Sequence, residues 1–438
     1  MRLDGLELRT PPAIAFSRSV ATSSPAFGER LTTSCVSHAR RWGFPAAVAI
    51  LLMGGILLRL FLPAGFKGMG FDEGLYCTYV NILDKVGLQH YPTLIDSFVA
   101  HQLDPRNQAI LPPTRIVYIA GGYICHRLLG VEPPTALRAL SCFFSILTLL
   151  VSAMFCWRLT RQRTLTVAVT ALVACAATQI HLGQHALIDG VFGFWALLVV
   201  WLLWENLKQP NSLRWEIAYG LALTGMVMTK ENAFFVVAAI VGILAGNRWL
   251  KIGQVTRRLL ITTFIGALAG ITVVIVAAGG VEQFSLIFAL LKQKVPILAY
   301  TIKTGGGPWH RYLVDLVLVS PMVVLLASAN ILQAGRKRSD SVRYLTTFSC
   351  LSYAALTAFP DGMNLRYIVM LDMPLRFLAA KQLIELSGKW GRYRNIILGC
   401  AVAVVCSHDL WQHHVLFAKG GLYELVTEGL VRAQGILK

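Results

Sequence analysis

Leu51–Leu62 reads LLMGGILLRLFL, and Pro63-Ala64-Gly65 ends it; within a few residues comes Phe71-Asp72-Glu73-Gly74. An apolar run that stops at a proline and is followed at once by two adjacent carboxylates is the end of a membrane-spanning helix at the bilayer surface. Carboxylates are costly there unless water, a cation or a substrate proton uses them. The remaining sequence has the same grammar. The chain has 438 residues, of which 55% are hydrophobic and only 14% charged, against roughly a quarter charged in a soluble domain. Most of the polypeptide therefore lives in lipid.

The net charge is +18. In a soluble protein that would suggest nucleic acid. Here the cations sit in short clusters between apolar spans, as the positive-inside rule requires, and no RNA-binding motif accompanies them. Nucleic acid is set aside. The nine cysteines lie mostly in apolar segments and lack zinc-site spacing, so they read as small buried hydrophobes.

Apolar windows occur near 44–62, 137–157, 164–180, 187–204, 216–229, 232–246, 259–279, 312–332, 344–358, 367–385 and 395–411, which predicts about eleven transmembrane helices in an all-α polytopic protein. With a cytoplasmic N-terminus, Arg158/Arg161/Arg163, Lys208/Arg214, Arg248/Lys251/Arg257/Arg258, Arg336/Lys337/Arg338/Arg343 and Lys389/Arg392/Arg394 all fall inside. That holds only if the ambiguous window 116–129 lies on the membrane surface instead of crossing.

The organisation then follows. Residues 1–43 are expected as a disordered cytoplasmic tail, 44–411 as the transmembrane catalytic domain and 412–438 as an external amphipathic tail. The first external loop, 63–137, is expected to hold juxtamembrane helices near 73–87 and 114–129; the second long external loop is 281–311. Long loops on a membrane scaffold carry function more often than packing.

This topology gathers polar groups from separate stretches at one membrane surface. Asp72 and Glu73 follow the first span; His181, Gln184, His185 and Asp189 lie between the third and fourth; Thr229-Lys230-Glu231-Asn232 turns between the fifth and sixth; His310 and Arg311 enter the eighth; Asp361, Asn364 and Arg366 precede the tenth. Acids and cations at one level suit acid–base chemistry beside a phosphate. Each also has a plainer explanation: helix capping for Asp189, an interfacial ion pair for Lys230 and Glu231, an aromatic belt for Trp309 and Tyr312.

The order of motifs resembles the membrane glycosyltransferases of the GT-C fold, and more closely the protein O-mannosyltransferase and lipid A aminoarabinose transferase group. Phe71-Asp72-Glu73-Gly74 is similar to that group's first-loop Asp-Glu motif. Pro112-Pro113 resembles the start of its loop helix, and Leu137-Arg138-Ala139-Leu140 that of its second span. Gln184-His185-Ala186-Leu187-Ile188-Asp189 resembles the stretch that supplies a second acid. Gly220-Leu221-Ala222 through Met228-Thr229-Lys230-Glu231, Gly306-Gly307-Pro308-Trp309 and Leu365-Arg366-Tyr367 resemble later signatures. Glu231 departs from the group's usual Gly.

The resemblance implies inverting transfer of a hexosyl or pentosyl unit from a polyprenyl-phosphate carrier, dolichyl or undecaprenyl, to a lipid, glycan or protein acceptor at the outer (periplasmic or lumenal) face. Asp72 is the implied general base, with Glu73 anchoring its loop and Asp189 in support. Lys230 and Arg366 are the implied donor-phosphate ligands, with Arg311 and His310 in lesser roles. No cofactor and no metal site is expected; a divalent Mg or Mn ion bridging Asp72 and Asp189 is the other way to stabilise the phosphate. The expected partners are membrane lipid and the lipid-linked sugar, with the acceptor unidentified. The expected location is a plasma membrane (bacterial inner membrane) in preference to the endoplasmic reticulum. The rival class is a transporter or lipid flippase, which would place charges at broken helices in the midplane and show an inverted repeat; a non-catalytic membrane subunit would need no acids and cations on one side.

Overall fold

The structure is a computed structural model that describes residues 27–104, 106–294, 299–333, 339–359 and 362–437. Of the expected tail, 1–43, residues 1–26 lie outside the described residues, as do the basic run Arg336-Lys337-Arg338 and Asp361. The chain divides into a small unit, Met1–Ala46, and a large one, Ala47–Lys438. Within the small unit the chain is helical from Phe27. The large unit holds every residue discussed below.

The described residues form helices α1 (Phe27–Phe61), α2 (Phe71–Val86), α3 (Pro92–Leu103), α4 (Ile116–Leu129), α5 (Pro133–Thr160), α6 (Arg163–Ala174), α7 (Ala177–Gln184), α8 (Ile188–Lys208), α9 (Leu213–Val227) and α10 (Ala233–Leu250). They continue as α11 (Arg257–Ala277), α12 (Val281–Lys294), α13 (Ala299–Thr304), α14 (Arg311–Val319), α15 (Pro321–Leu332), α16 (Asp340–Thr357), α17 (Asp372–Ser387), α18 (Arg394–His413) and α19 (Thr427–Ala433). A 3-10 segment, Leu365–Leu371, leads into α17, and a π turn, His414–Lys419, follows α18. There is no strand among the described residues. In a bilayer that is the expected outcome, because a helix satisfies its own backbone.

Each apolar window read from the sequence is helical. Among the described residues, six helical stretches are long and apolar enough to cross a bilayer alone, against the expectation of about eleven crossings; α6 and α7, bent by 49° at Cys175-Ala176, make a seventh if they count as one span. The shortfall has local causes. The window at 312–332 is cut into α14 and α15 by Ser320-Pro321, where proline removes a backbone donor. The window at 367–385 opens in 3-10 geometry, and α9 has only 15 residues. The first loop holds its two expected helices as α2 and α4, with α3 between them, and the 281–311 loop holds α12 and α13.

Helix α8 is the centre of the bundle. It is apolar on all sides, 89% of its spanning window is buried, and α5, α9, α10 and the 3-10 segment surround it. A helix apolar all round belongs in a core, and this one brings its first turn, with Asp189, into the middle of the protein.

The α6–α7 break leaves the last α6 carbonyls short of helical donors: Leu172 O and Ala174 O lose theirs, and Val173 O keeps only a long bond from Ala176 N at 3.3 Å. Two buried arginines supply them. Arg59 donates to Ala174 O at 3.1 Å and Val173 O at 3.2 Å, and Arg376 donates to Leu172 O at 2.9 Å. Arg376 in turn pairs with Asp372 at 2.9 Å and Asp409 at 2.5 Å. These charges are paired and hydrogen-bonded, the condition under which burial is tolerated.

Candidate active site

The site is assembled from ends of helices. Asp72 and Glu73 lie in the first turn of α2, where carboxylates suit the positive end of the helix dipole. They point to different tasks. Glu73, 1% exposed, accepts from Gly70 N at 2.9 Å and from Ala186 N at 2.6 Å, tying the start of α2 to the turn before α8. His185 and Arg138 stand 3.6 and 3.7 Å from the same carboxylate. Burial opposes the charged form of Glu73, but the hydrogen bonds from His185, Gly70 and Ala186 outweigh it and hold the pKa below the usual glutamate value. These contacts fasten the start of α2 to the turn before α8.

Asp72 faces the interior and meets Arg366 Nη2 at 3.1 Å. Arg366, 1% exposed, sits in the second residue of the 3-10 segment, whose start is capped by the Asn364 side chain accepting from Arg366 N at 3.0 Å. The same guanidinium reaches Asp189 at 3.8 Å. Asp189 also pairs with Lys230, which the tight α9–α10 turn points inward. The Lys230 ammonium lies 4.4 Å from the centre of the Tyr367 ring, a cation–π contact. Burial, aided by Arg115 and Arg366 and opposed by Asp189, lowers the Lys230 pKa.

So Asp72, Asp189, Lys230 and Arg366, from four distant stretches of sequence, form one connected charge cluster. Around it, Glu231 turns away to pair with Arg115 at 3.1 Å, which accounts locally for an acid at this position. His181 and His185 are buried, 4.8 Å apart between ring centres, and packed on Phe417, Phe66 and Tyr423.

Two expected residues stand apart. Arg311 donates to Thr304 O at 2.6 Å, Gly305 O at 3.2 Å, Gly306 O at 2.9 Å and Thr427 Oγ1 at 2.9 Å. It pins the glycine loop to the C-terminal segment, and its donors are occupied there. His310 is exposed and edge-on to Trp309 at 5.6 Å.

One residue that sequence reading missed enters from the C-terminal segment. Gly421 takes φ +58°, a conformation that favours glycine, and turns the chain back over the site. Tyr423 packs so closely on the start of α2 that a Cβ at Gly70 would lie 2.0 Å from its ring. Glu424 follows and places Oε2 3.1 Å from Arg366 Nη2 and 2.8 Å from Asn364 Nδ2. Burial, partly opposed by Arg366, raises the Glu424 pKa. The Gly420-Gly421 pair was the available signal, but the apolar spacing beyond it pointed to a surface helix.

A divalent ion does not fit the described residues here. The carboxylates that would bridge it, Asp72 and Asp189, already hold Arg366 and Lys230, and no group of three or more His, Cys, Asp or Glu side chains among the described residues is arranged for a metal.

Comparison with known proteins agrees with this architecture. The family model of dolichyl-phosphate-mannose-protein mannosyltransferases matches residues 124–292, a stretch that contains Asp189 and Lys230. No curated protein sequence matches the chain. Among solved structures, the archaeal oligosaccharyltransferase AglB from Archaeoglobus fulgidus, in complex with an inhibitory peptide and a dolichol-phosphate, is similar over 86% of this chain at 12% identity with a TM-score of 0.55. ArnT from Cupriavidus metallidurans bound to undecaprenyl phosphate is similar over 90% of this chain and 75% of its own length, at 16% identity and a TM-score of 0.50. The chain spans 55% of the length of the oligosaccharyltransferase. At these identities what is shared is the fold: an all-helical, multi-pass membrane protein of the GT-C type.

Proposed function

We propose that this GT-C-fold chain is a membrane glycosyltransferase that moves a sugar from a polyprenyl-phosphate carrier to an acceptor hydroxyl at the outer face of its membrane. The observation that carries the reading is the buried cluster itself. Two cations and two carboxylates at a break between helices suit a substrate that brings a phosphate and gives up a proton. The carrier class is supported by the dolichol-phosphate bound to the similar oligosaccharyltransferase and the undecaprenyl phosphate bound to the similar ArnT.

In the proposed reaction Asp72 takes the proton of the acceptor hydroxyl. The acceptor oxygen bonds to the anomeric carbon as the bond from that carbon to the phosphate oxygen breaks, and the electron pair leaves with the phosphate. Attack opposite the leaving group inverts the centre. Lys230 and Arg366 receive the developing phosphate charge. Asp189 holds both cations in place, Glu73 fixes the turn that carries Asp189, and Arg311 shapes the adjoining loop. The sugar is a hexosyl or pentosyl unit, the acceptor a lipid, glycan or protein, and the membrane a bacterial inner membrane in preference to the endoplasmic reticulum.

The test is release of polyprenyl phosphate from a panel of polyprenyl-phosphate sugars by the purified protein in lipid, with lipid, glycan and protein fractions of the membrane supplied as acceptors. Asp72→Asn keeps the size and removes the base, so turnover should fall about 100- to 10,000-fold. Near-normal turnover in the folded variant overturns the assignment of Asp72, and failure of the unmodified protein to turn over any such donor overturns the enzyme reading.

A further inference from the structure

We propose that Glu424 is a third acidic group of the donor site and takes up one proton when the anionic lipid phosphate binds. The inference rests on the reading of the cluster as a polyprenyl-phosphate site.

It starts from a single nitrogen. Arg366 Nη2 stands 3.1 Å from Asp72 Oδ2 and 3.1 Å from Glu424 Oε2. Two carboxylates therefore share the donor edge that a phosphate oxygen would take. Asn364 Nδ2 holds Glu424 from the side at 2.8 Å, and the Tyr423 ring lies over the guanidinium at 6.0 Å.

The charge balance follows. Among the described residues, Asp72, Asp189 and Glu424 face Lys230 and Arg366, so the connected cluster carries one negative charge in excess. The neighbouring acids do not change this, since Glu73 has Arg138 and Glu231 has Arg115. A lipid-linked sugar phosphate is a diester with one further negative charge. Seating it beside an uncompensated carboxylate in a buried site is unfavourable, and the remedy is a proton on one of the three acids.

Geometry selects which. Asp189 is 1% exposed and lies between both cations. Asp72 faces Arg366 with its side chain 10% exposed. Glu424, 22% exposed, keeps a route to water and, among the described residues, has Arg366 as its one ion-pair partner. The groups that face it are Arg366 from the 3-10 segment and Asn364 at its cap, Asp72 from α2, Asp189 from α8 and Tyr423 beside it; Arg311 and Asp315 of α14 meet Thr427, three residues on. Burial already biases Glu424 toward its neutral form. When phosphate oxygens occupy Arg366, Glu424 loses the cation that favoured its charge. A proton from solvent then converts it from a competing anion into an O–H donor toward the phosphate, and the proton returns to solvent when the phosphate leaves.

The experiment is calorimetric titration of the full chain in lipid discs with a short-chain polyprenyl methyl phosphate. This diester carries one charge and does not itself titrate near neutrality. Paired titrations in buffers of unlike ionisation enthalpy at one pH count the protons. Uptake approaching one proton per lipid is expected, with affinity falling by up to about tenfold per pH unit between the Glu424 pKa of the free protein and that of the complex. Glu424→Gln should abolish the uptake, flatten the pH profile and keep tight binding at high pH. Binding without proton uptake at any pH, or uptake that persists in Glu424→Gln, overturns the proposal and leaves the donor-site reading standing. No binding of the diester at any pH overturns both.

Discussion

Changing Lys230 to methionine separates what the cluster does for the fold from what it does for a phosphate. Methionine keeps a linear stem against Tyr367 and removes only the charge that pairs with Asp189. Asp189 is 1% exposed and is then left with Arg366 alone, at 3.8 Å. Stripping one partner from a buried ion pair costs about 3–5 kcal/mol of stability. The same change removes one charged donor to the phosphate, about 1.5–3 kcal/mol, or roughly 10- to 150-fold in affinity. Adding Asp189→Asn discharges the stranded carboxylate, so the double variant should recover much of the thermal stability without recovering the affinity. The assays are thermal unfolding in lipid and titration with a short-chain polyprenyl phosphate. If Lys230 only anchors a helix end, Lys230→Met lowers the unfolding temperature and leaves affinity unchanged. If the double variant regains both stability and affinity, the phosphate role of Lys230 is refuted.

Two further outcomes are expected. In a chain without native cysteines, a cysteine at Ser339 should react with an impermeant maleimide only from the cytoplasmic side and one at Asn107 only from the opposite side; labelling of Ser339→Cys from outside would reverse the orientation. Gly70→Ala places a Cβ 2.0 Å from the Tyr423 ring, so the ring must withdraw and take Glu424 from Arg366; overpacking of this kind costs about 1–3 kcal/mol, and an unchanged unfolding temperature and turnover would mean the Gly70–Tyr423 contact is absent.

Asp72, Asp189, Lys230 and Arg366 were legible because each interrupts or borders an apolar window, where a charge is too costly to be incidental. Their pairing was not legible. That Asp189 lies between Lys230 and Arg366 depends on α8 running through the centre of the bundle, and spacing along a chain does not report which helix is central. Glu424 escaped for a different reason. The apolar residues from Leu416 to Val431 have helical spacing, but the backbone reverses at Gly421 and leaves only α19, Thr427–Ala433, as a helix beyond the turn. Arg311 sat in a glycine-rich loop that looked ready for a phosphate; the loop's own carbonyls needed a donor, and Arg311 supplies it. The breaks at Ser320-Pro321 and at Cys175-Ala176 were not legible either, because both lie inside runs of continuous apolar character.

That last break has a consequence for how the chain is made. The carbonyls of Leu172, Val173 and Ala174 are satisfied by Arg59, which precedes them in synthesis, and by Arg376, which follows some two hundred residues later. Lipid offers no substitute donor. Until Arg376 emerges and docks, Leu172 O must be served by water or another temporary partner, and of the two arginines only Arg59 holds the bend. The elbow is thus a late-closing joint in biogenesis: an early helix pair that reaches its final hydrogen bonding only when a helix near the end of the chain arrives.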